Sequence, residues 1–341
     1  MALGPVPAWG DSIRLAGPED LPAMMDLLIV DARQRSGLDP RLWPIARDAR
    51  VRIDAAVQMA FGTVGLALNE LWLLAEASGR IVGMAHAMFL PVPPIYRAAG
   101  GLPGLILDDC FTVADAPAGT MEALLRATEA ELRAMGASRL VASCPVGGPW
   151  RTVFERAGYE PVTLYMGKHG FTDRALPAGV RPARLEDVPA IVSLSAFHRR
   201  TLAELNPRFW RIDPDADSRF EDWMRQSLTR DDRSMFVAEA SGTVHGYIIA
   251  QPISPLLMPD AHDINAIGVV DDYYDRDFAD VASITNGGTL AAGLLSAAES
   301  AFARRSYAAA LVVCPAAWTG KVSLLEREGW HAAKLWMLKR D

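Results

Sequence analysis

Two aspartate pairs, Asp108-Asp109 and Asp271-Asp272, fall near the ends of two apolar runs that read as strands. A carboxylate there, or a water it orients, can take a proton from a nucleophile. Side chains alternate across a strand, so at most one member of each pair faces a given side. The sequence leaves open which one, and the other is free to pair with an arginine or cap a loop. After each pair a glycine-bearing loop opens a strongly helical stretch: Ala118-Gly119-Thr120, and Asn286-Gly287-Gly288-Thr289-Leu290. Unpaired backbone N–H groups and the positive helix end suit a phosphate there, and glycine allows close backbone approach. Tyr273 and Tyr274 follow the second pair, where Cys110 and Phe111 follow the first. Tyr273 is a candidate acid toward a leaving group; the alternative is packing at a sheet edge.

The chain that must position these groups has 341 residues, 50% of them hydrophobic and 22% charged. That is enough apolar surface for a core or two, and it excludes a disordered chain. Lys and Arg number 34 against 41 Asp and Glu, a net charge of -7 with no basic run. This argues against nucleic acid or an anionic membrane as partner. Three cysteines (Cys110, Cys144, Cys314) exclude a disulfide scaffold and fit a reducing compartment. Buried small hydrophobes are their expected role. The six histidines lack metal-ligand spacing, so no metal is expected, and His198, His245 and His262 read as solvated or capping. No leader pattern opens the sequence and no apolar run spans a bilayer, so the expectation is a cytoplasmic protein.

The sequence is written twice. Residues 13–24 align with 180–191, and Leu38-Asp39-Pro40-Arg41-Leu42-Trp43 aligns with Leu205-Asn206-Pro207-Arg208-Phe209-Trp210. Ala75-Glu76-Ala77-Ser78-Gly79 recurs as Ala238-Glu239-Ala240-Ser241-Gly242, the two aspartate pairs match, and so do Cys144-Pro145 and Cys314-Pro315. Glu155-Arg156-Ala157-Gly158-Tyr159 matches Glu326-Arg327-Glu328-Gly329-Trp330. The period is too long for a solenoid, so this is one duplicated unit, 1–172 and 173–341. Within each unit the pattern predicts β-α-α-β-β-β-α-β-α-β. The two Ser-Gly dipeptides mark hairpin turns, and Gly158 and Gly329 mark helix ends. The predicted third strands span 104–113 and 264–274. This is an α/β chain of the α+β type, with a mixed, mostly antiparallel sheet flanked by helices.

The opening Ile13–Ala23 and Val180–Ala190 segments, the A-E-A-S-G hairpins and the closing E-R-x-G-[YW] together resemble the GCN5-related N-acetyltransferase (GNAT) superfamily, once per half. The resemblance implies two tandem GNAT-like domains using acetyl-CoA as co-substrate. It implies direct acyl transfer to a primary amine of a small molecule, with one half catalytic and the other structural. It places the acetyl-CoA pyrophosphate on Val113, Ala118, Gly119 and Thr120, or on Asn286, Gly287, Gly288, Thr289 and Leu290, and the base among Asp108, Asp109, Asp271 and Asp272. It also implies pantetheine pairing with the splayed edges of the fourth and fifth strands. The sequence departs from the family in two respects. Neither loop carries the family's Arg or Gln, and Phe154 and Leu325 stand where the family's acidic tyrosine sits. The glycine count favours the second half as the cofactor site; the ordinary loop length favours the first. The other reading is a catalytically dead CoA-binding or scaffolding protein. Two halves in one chain also allow a monomer that imitates a dimer, or a homodimer.

Overall fold

The computed structural model describes residues 13–62, 70–98 and 100–340; the sequence reading of residues 1–12 lies outside them. The first repeat runs β1 (Ile13–Leu15), α1 (Leu21–Leu38), α2 (Ala49–Gly62), β2 (Glu70–Ala77), β3 (Arg80–Phe89), β4 (Gly104–Ile106), β5 (Phe111–Thr112), α3 (Thr120–Ala134), β6 (Leu140–Pro145), α4 (Trp150–Arg156) and β7 (Tyr159–His169). The second runs β8 (Val180–Pro182), α5 (Val188–Leu205), α6 (Ala216–Ser227), β9 (Ser234–Ala240), β10 (Thr243–Pro252), β11 (Ile267–Asp275), α7 (Thr289–Arg304), β12 (Ala309–Pro315), α8 (Thr319–Arg327) and β13 (His331–Lys339).

Local chemistry explains the matching openings. Arg14 bonds both carboxylate oxygens of Asp20 at 2.7 Å, and Asp20 also accepts from the Gly17 N–H. Arg181 grips Asp187 the same way, and Asp187 accepts from the Arg184 N–H. Each aspartate caps the turn that feeds the first long helix. In the hairpins, Ser78 and Gly79 take φ of 52° and 75°, and Ser241 and Gly242 take 51° and 74°. Two consecutive left-handed residues are what a two-residue hairpin turn demands.

Alternation along the strands sets the layers. Trp72 and Leu74 face α1 and α2, packing with Met24, Leu28 and Ile53. Leu71, Leu73 and Ala75 face the other way, toward Leu124, Leu132 and Phe154 of α3 and α4. The second repeat builds its own apolar core.

All thirteen strands join one sheet, in the order β1-β2-β3-β4-β6-β13-β7-β12-β11-β10-β9-β8, with β5 also on β3. Among the described residues only the β4–β6 and β11–β12 pairs are parallel. The halves exchange their last strands: β13 lies between β6 and β7, and β7 pairs β12. The helix-joining segments cross over too. Leu42 and Trp43 pack on Ile267, Val269 and Leu311 of the second repeat, while Phe209 and Trp210 pack against a cluster holding Met88, Leu105 and Val141 of the first. The Pro-Arg-x-Trp elements are therefore inter-half packing.

The predicted third strand is continuous only in the second repeat. In the first it breaks between β4 and β5, and Asp108-Asp109 turn there. In β11, Ile249 pairs Asp272 and Ala250 pairs Val270, so Asp271 is the extra residue of a bulge.

Candidate active site

Where β4 ends, β6 runs on, and the two strands part. The gap is a cleft of about 150 Å³. Its two walls present free peptide groups. Val113 N donates to Val82 O, so alternation along β5 turns the Thr112 N–H and C=O the other way, toward the cleft. On β6, Gly104 N donates to Arg139 O, and the same alternation brings the Ser143 peptide groups to the β4 side, past the last paired residue. The Ser143 hydroxyl is buried and has no hydrogen-bond partner among the described residues.

The inner part of the cleft is charged. Asp31 and Arg35, one turn apart on α1, form an ion pair at 2.6 Å. Both are buried, and both line the cleft beside Asp108. Burial pushes the Asp31 carboxyl up to about 7, against the pull of Arg35, and Asp109 and Asp108 add to the rise. Arg35 also donates to the Asp108 carbonyl, and its Nη1 lies 3.3 Å from His262 Nε2. Burial, then the Arg35 charge, lowers His262 to about 4, so it is neutral and accepts through Nε2. The Arg35 Nε–H has no partner among the described residues.

The first aspartate pair is spent on ion pairs. Asp108 lies 3.1 Å from Lys334 Nζ, which also donates to Leu257 O at 2.6 Å. Lys334 belongs to β13, and Leu257 and His262 to the β10–β11 connection, so the second half supplies part of this site. Lys334→Met strands a buried carboxylate and is expected to cost ~3–5 kcal/mol in urea unfolding. Lys334→Met with Asp108→Leu is expected to recover most of that loss.

Asp109 lies 2.9 Å from His86 Nδ1, and Glu70 is 3.4 Å from Nε2. The imidazole stacks on Trp72 at 3.7 Å. Burial pulls His86 down, but the Asp109 and Glu70 carboxylates override it and raise the ring to about 9. This raised value is a stabilising term, fully present below the unfolded value of about 6.5 and lost as pH rises through about 9. The term is worth ~3 kcal/mol at most. Stability measured by urea titration is therefore expected to fall between pH 6.5 and 9.5, and to fall much less in His86→Gln.

The second repeat uses the same positions differently. Asp272 accepts from His198 Nδ1 at 2.9 Å and from the Tyr247 hydroxyl at 2.8 Å. Asp271 is reached by solvent, and burial of its surroundings and Asp272 raise it to about 6. The Tyr273 hydroxyl donates to Ala291 O at 2.7 Å under α7, and the Tyr273 carbonyl accepts from Lys321 Nζ at 2.6 Å. Tyr273 thus packs below the sheet rather than facing a cleft. The space corresponding to the first-half cleft is filled. Gly148 N and Trp318 N make the same turn bond, to Pro145 O and Pro315 O, so the two residues correspond. Where Gly148 lines an opening, the Trp318 ring is fully buried against His198, Tyr274 and Phe278. The longer second loop straps this plug: Val281 O accepts from Gly320 N and from the Thr319 hydroxyl.

The two glycine loops differ in the same sense. Gly119, φ +86°, caps α3 on the surface, with Ala118 exposed beside it and Thr120 bonded back to Pro117 O. Apart from its chain neighbours, no described residue comes within 4 Å of where a Cβ at Gly119 would sit. In the second half Asn286, Gly287 and Gly288 are all left-handed, before Thr289 and Leu290 open α7. Asn286 bonds the buried Asp277 carboxylate at 2.9 Å, and the Gly287 carbonyl accepts from Arg327. A carboxylate beneath the loop opposes a pyrophosphate.

The sequence reading missed Asp31, Arg35, His86, Lys334 and the Gly148/Trp318 contrast. It also read His198 and His262 as solvated or capping, whereas both are buried and bonded to charged groups. The available signal was the repeat itself: extending its alignment past Cys144-Pro145 sets glycine against tryptophan.

The sequence matches no protein-family model and no curated protein sequence. Solved structures do match. A GCN5-related N-acetyltransferase from Sphaerobacter thermophilus superposes with a TM-score of 0.55 at 18% identity, over 96% of this chain and 94% of that one. The fold is that of the GCN5-related N-acetyltransferases. A tandem GNAT protein from the clavulanic acid biosynthesis pathway gives 0.47 at 15% identity, over 96% of each chain. Among the described residues no His, Cys, Asp or Glu cluster is arranged to hold a metal, and no helix is long and apolar enough to cross a membrane.

Proposed function

We propose that this protein transfers an acetyl group from acetyl-CoA directly to a primary amine of a small molecule, at the first half only. The observation that carries this reading is the open cleft beside Gly148, set against its Trp318-filled counterpart. Residues 1–172 and 173–341 are then two GNAT units, the second structural. It completes the first unit's sheet and supplies Lys334 and His262.

The pantetheine amides pair with the Thr112 and Ser143 peptide groups, and the α3 N-terminus at Ala118, Gly119 and Thr120 receives the pyrophosphate. The thioester lies beside Asp31 and Arg35. Asp31, ionised above about pH 7, takes the proton from the acceptor's ammonium. The neutral amine attacks the carbonyl carbon, the C–N bond forms, and the oxygen takes the charge near the fixed Arg35 guanidinium. The C–S bond then breaks and the electron pair leaves on sulfur. A thiol of ordinary acidity, near 8.5, leaves as thiolate without help, so Phe154 in place of a tyrosine is no obstacle. The attacking nitrogen sheds its second proton as the amide forms, the thiolate takes it up through solvent, and Asp31 returns the first proton to water.

The acceptor is a small cationic or neutral amine, in keeping with the acidic chain, rather than nucleic acid or a membrane. The shared sheet fits a monomer, and three free buried cysteines fit the cytoplasm. Calorimetric titration with acetyl-CoA is expected to give one site per chain, with free CoA released when a panel of amines is added. One site without turnover on any amine would instead favour the binding-only reading, which the ion-paired Asp108 and Asp109 also motivate.

A further inference from the structure

At the far edge of the sheet, where β8 meets β9, a second cavity of about 290 Å³ opens beside the end of α6. Arg230, Arg233 and Arg304 line it together with Ser227 and Ser234; among the described residues no carboxylate lines it, Asp232 and Asp173 bonding these arginines from outside the lining. This is an unusual concentration of cations on a chain whose net charge is -7.

The fold itself does not require these arginines. Glu70 opens β2 at the place in the repeat that Arg233 holds before β9, and Ala134 ends α3 where Arg304 ends α7. Their existing bonds leave most of their hydrogen-bonding capacity. Arg230 and Arg233 share Asp232, Arg233 also donates to the Ser227 hydroxyl at 3.0 Å, and Arg304 bonds Asp173 at 2.8 Å. A guanidinium has five N–H donors in a fixed fork. These bonds use two on Arg230, two on Arg233 and one on Arg304. Arg233 is held rigid, its guanidinium 5.5 Å from the Trp223 ring. Forked, uncommitted guanidinium donors around a recess suit phosphate oxygens.

We propose that this cavity binds a small phosphorylated molecule, at a site separate from the acyl-transfer cleft. Six strand spacings separate β6 from β9, ~29 Å at about 4.8 Å each. The ligand is therefore not the substrate of the cleft, and its binding is independent of the reading proposed for that cleft.

The probe is inorganic pyrophosphate, titrated calorimetrically into the full chain held saturated with CoA, so that the cleft is covered. One site is expected. Arg230→Gln with Arg304→Gln, both on the exposed rim, is expected to weaken it at least tenfold while thermal unfolding stays within a few degrees. Gly119→Asp is expected to leave it unchanged. The proposal is overturned if no heat appears at millimolar pyrophosphate, if the double variant binds as well as the parent, or if Gly119→Asp removes the site. Acetyl-CoA binding in the double variant reports on the cleft separately, so failure of either reading can be told from failure of the other.

Discussion

Gly148→Trp is expected to abolish acetyl-CoA binding, taking the stoichiometry from one site per chain to none. The second half already displays the result: a tryptophan at this turn fills the gap between the parting strands. Gly148 needs no left-handed backbone, so an L side chain is tolerated there, although its Cβ would sit 3.0 Å from the Pro145 ring. The substitution is expected to cost ~1–3 kcal/mol of stability, as overpacking does. A variant that folds, shown by an unaltered circular dichroism spectrum, and still binds acetyl-CoA would refute the assignment of the cleft. The reciprocal change, Trp318→Gly, empties a fully buried ring. It is expected to lower stability by ~3–5 kcal/mol, as removal of a large core side chain does.

Asp31→Asn is expected to lower kcat/KM ~100-fold or more, within the range lost when a general base is removed. The pH profile is the sharper readout. Asp31 accepts a proton only as carboxylate, and burial holds its value near 7. On the proposed function, the parent protein should therefore gain activity as pH rises through about 7 and level off above it. The variant should show a low rate without that rise. Asn keeps the shape and an oxygen for Arg35, so acetyl-CoA binding should change little. An unchanged rise near 7 in Asp31→Asn would move the base elsewhere. Asp108→Asn is the control: it breaks the Lys334 pair, so it should reduce stability, and with one neighbouring negative charge gone it should move the midpoint of the profile down while keeping the rise itself.

Much of the fold was legible because local chemistry wrote it down twice. The Arg14–Asp20 and Arg181–Asp187 clasps, the two Ser-Gly turns and the glycine helix ends all act within a few residues, and each recurs in order. The exchange of last strands was not legible. Alternation in Tyr159–His169 and His331–Lys339 says that each is a strand, but carries no record of its neighbours. The acidic end of the cleft was hidden for a different reason. Asp31 and Arg35 sit one turn apart on a helix, a spacing that most often marks a solvated ion pair. Only the fold shows that this turn faces inward. The aspartate pairs drew notice as adjacent carboxylates, yet adjacency says nothing of Lys334, which reaches Asp108 from 226 residues away (334 − 108). Glycine content alone did not show the loop's setting: three left-handed residues at 286–288 form a tight turn, with Asp277 bonded to Asn286 and Arg327 to the Gly287 carbonyl.

The strand exchange bears on how the chain is made. Synthesis runs from the N-terminus, and domains usually complete themselves as they emerge. Here the first unit is not completed in this way. Until residues 331–339 leave the ribosome, β6 and β7 lack the strand that joins them, and each presents an open edge. The nascent first half must wait, exposed to wrong partners, through the synthesis of the entire second half. A stop codon at position 331 would thus harm the half that was translated first. Conversely, the two halves expressed as separate polypeptides in one cell would each hold the strand the other lacks, and would be expected to complement one another into an active pair.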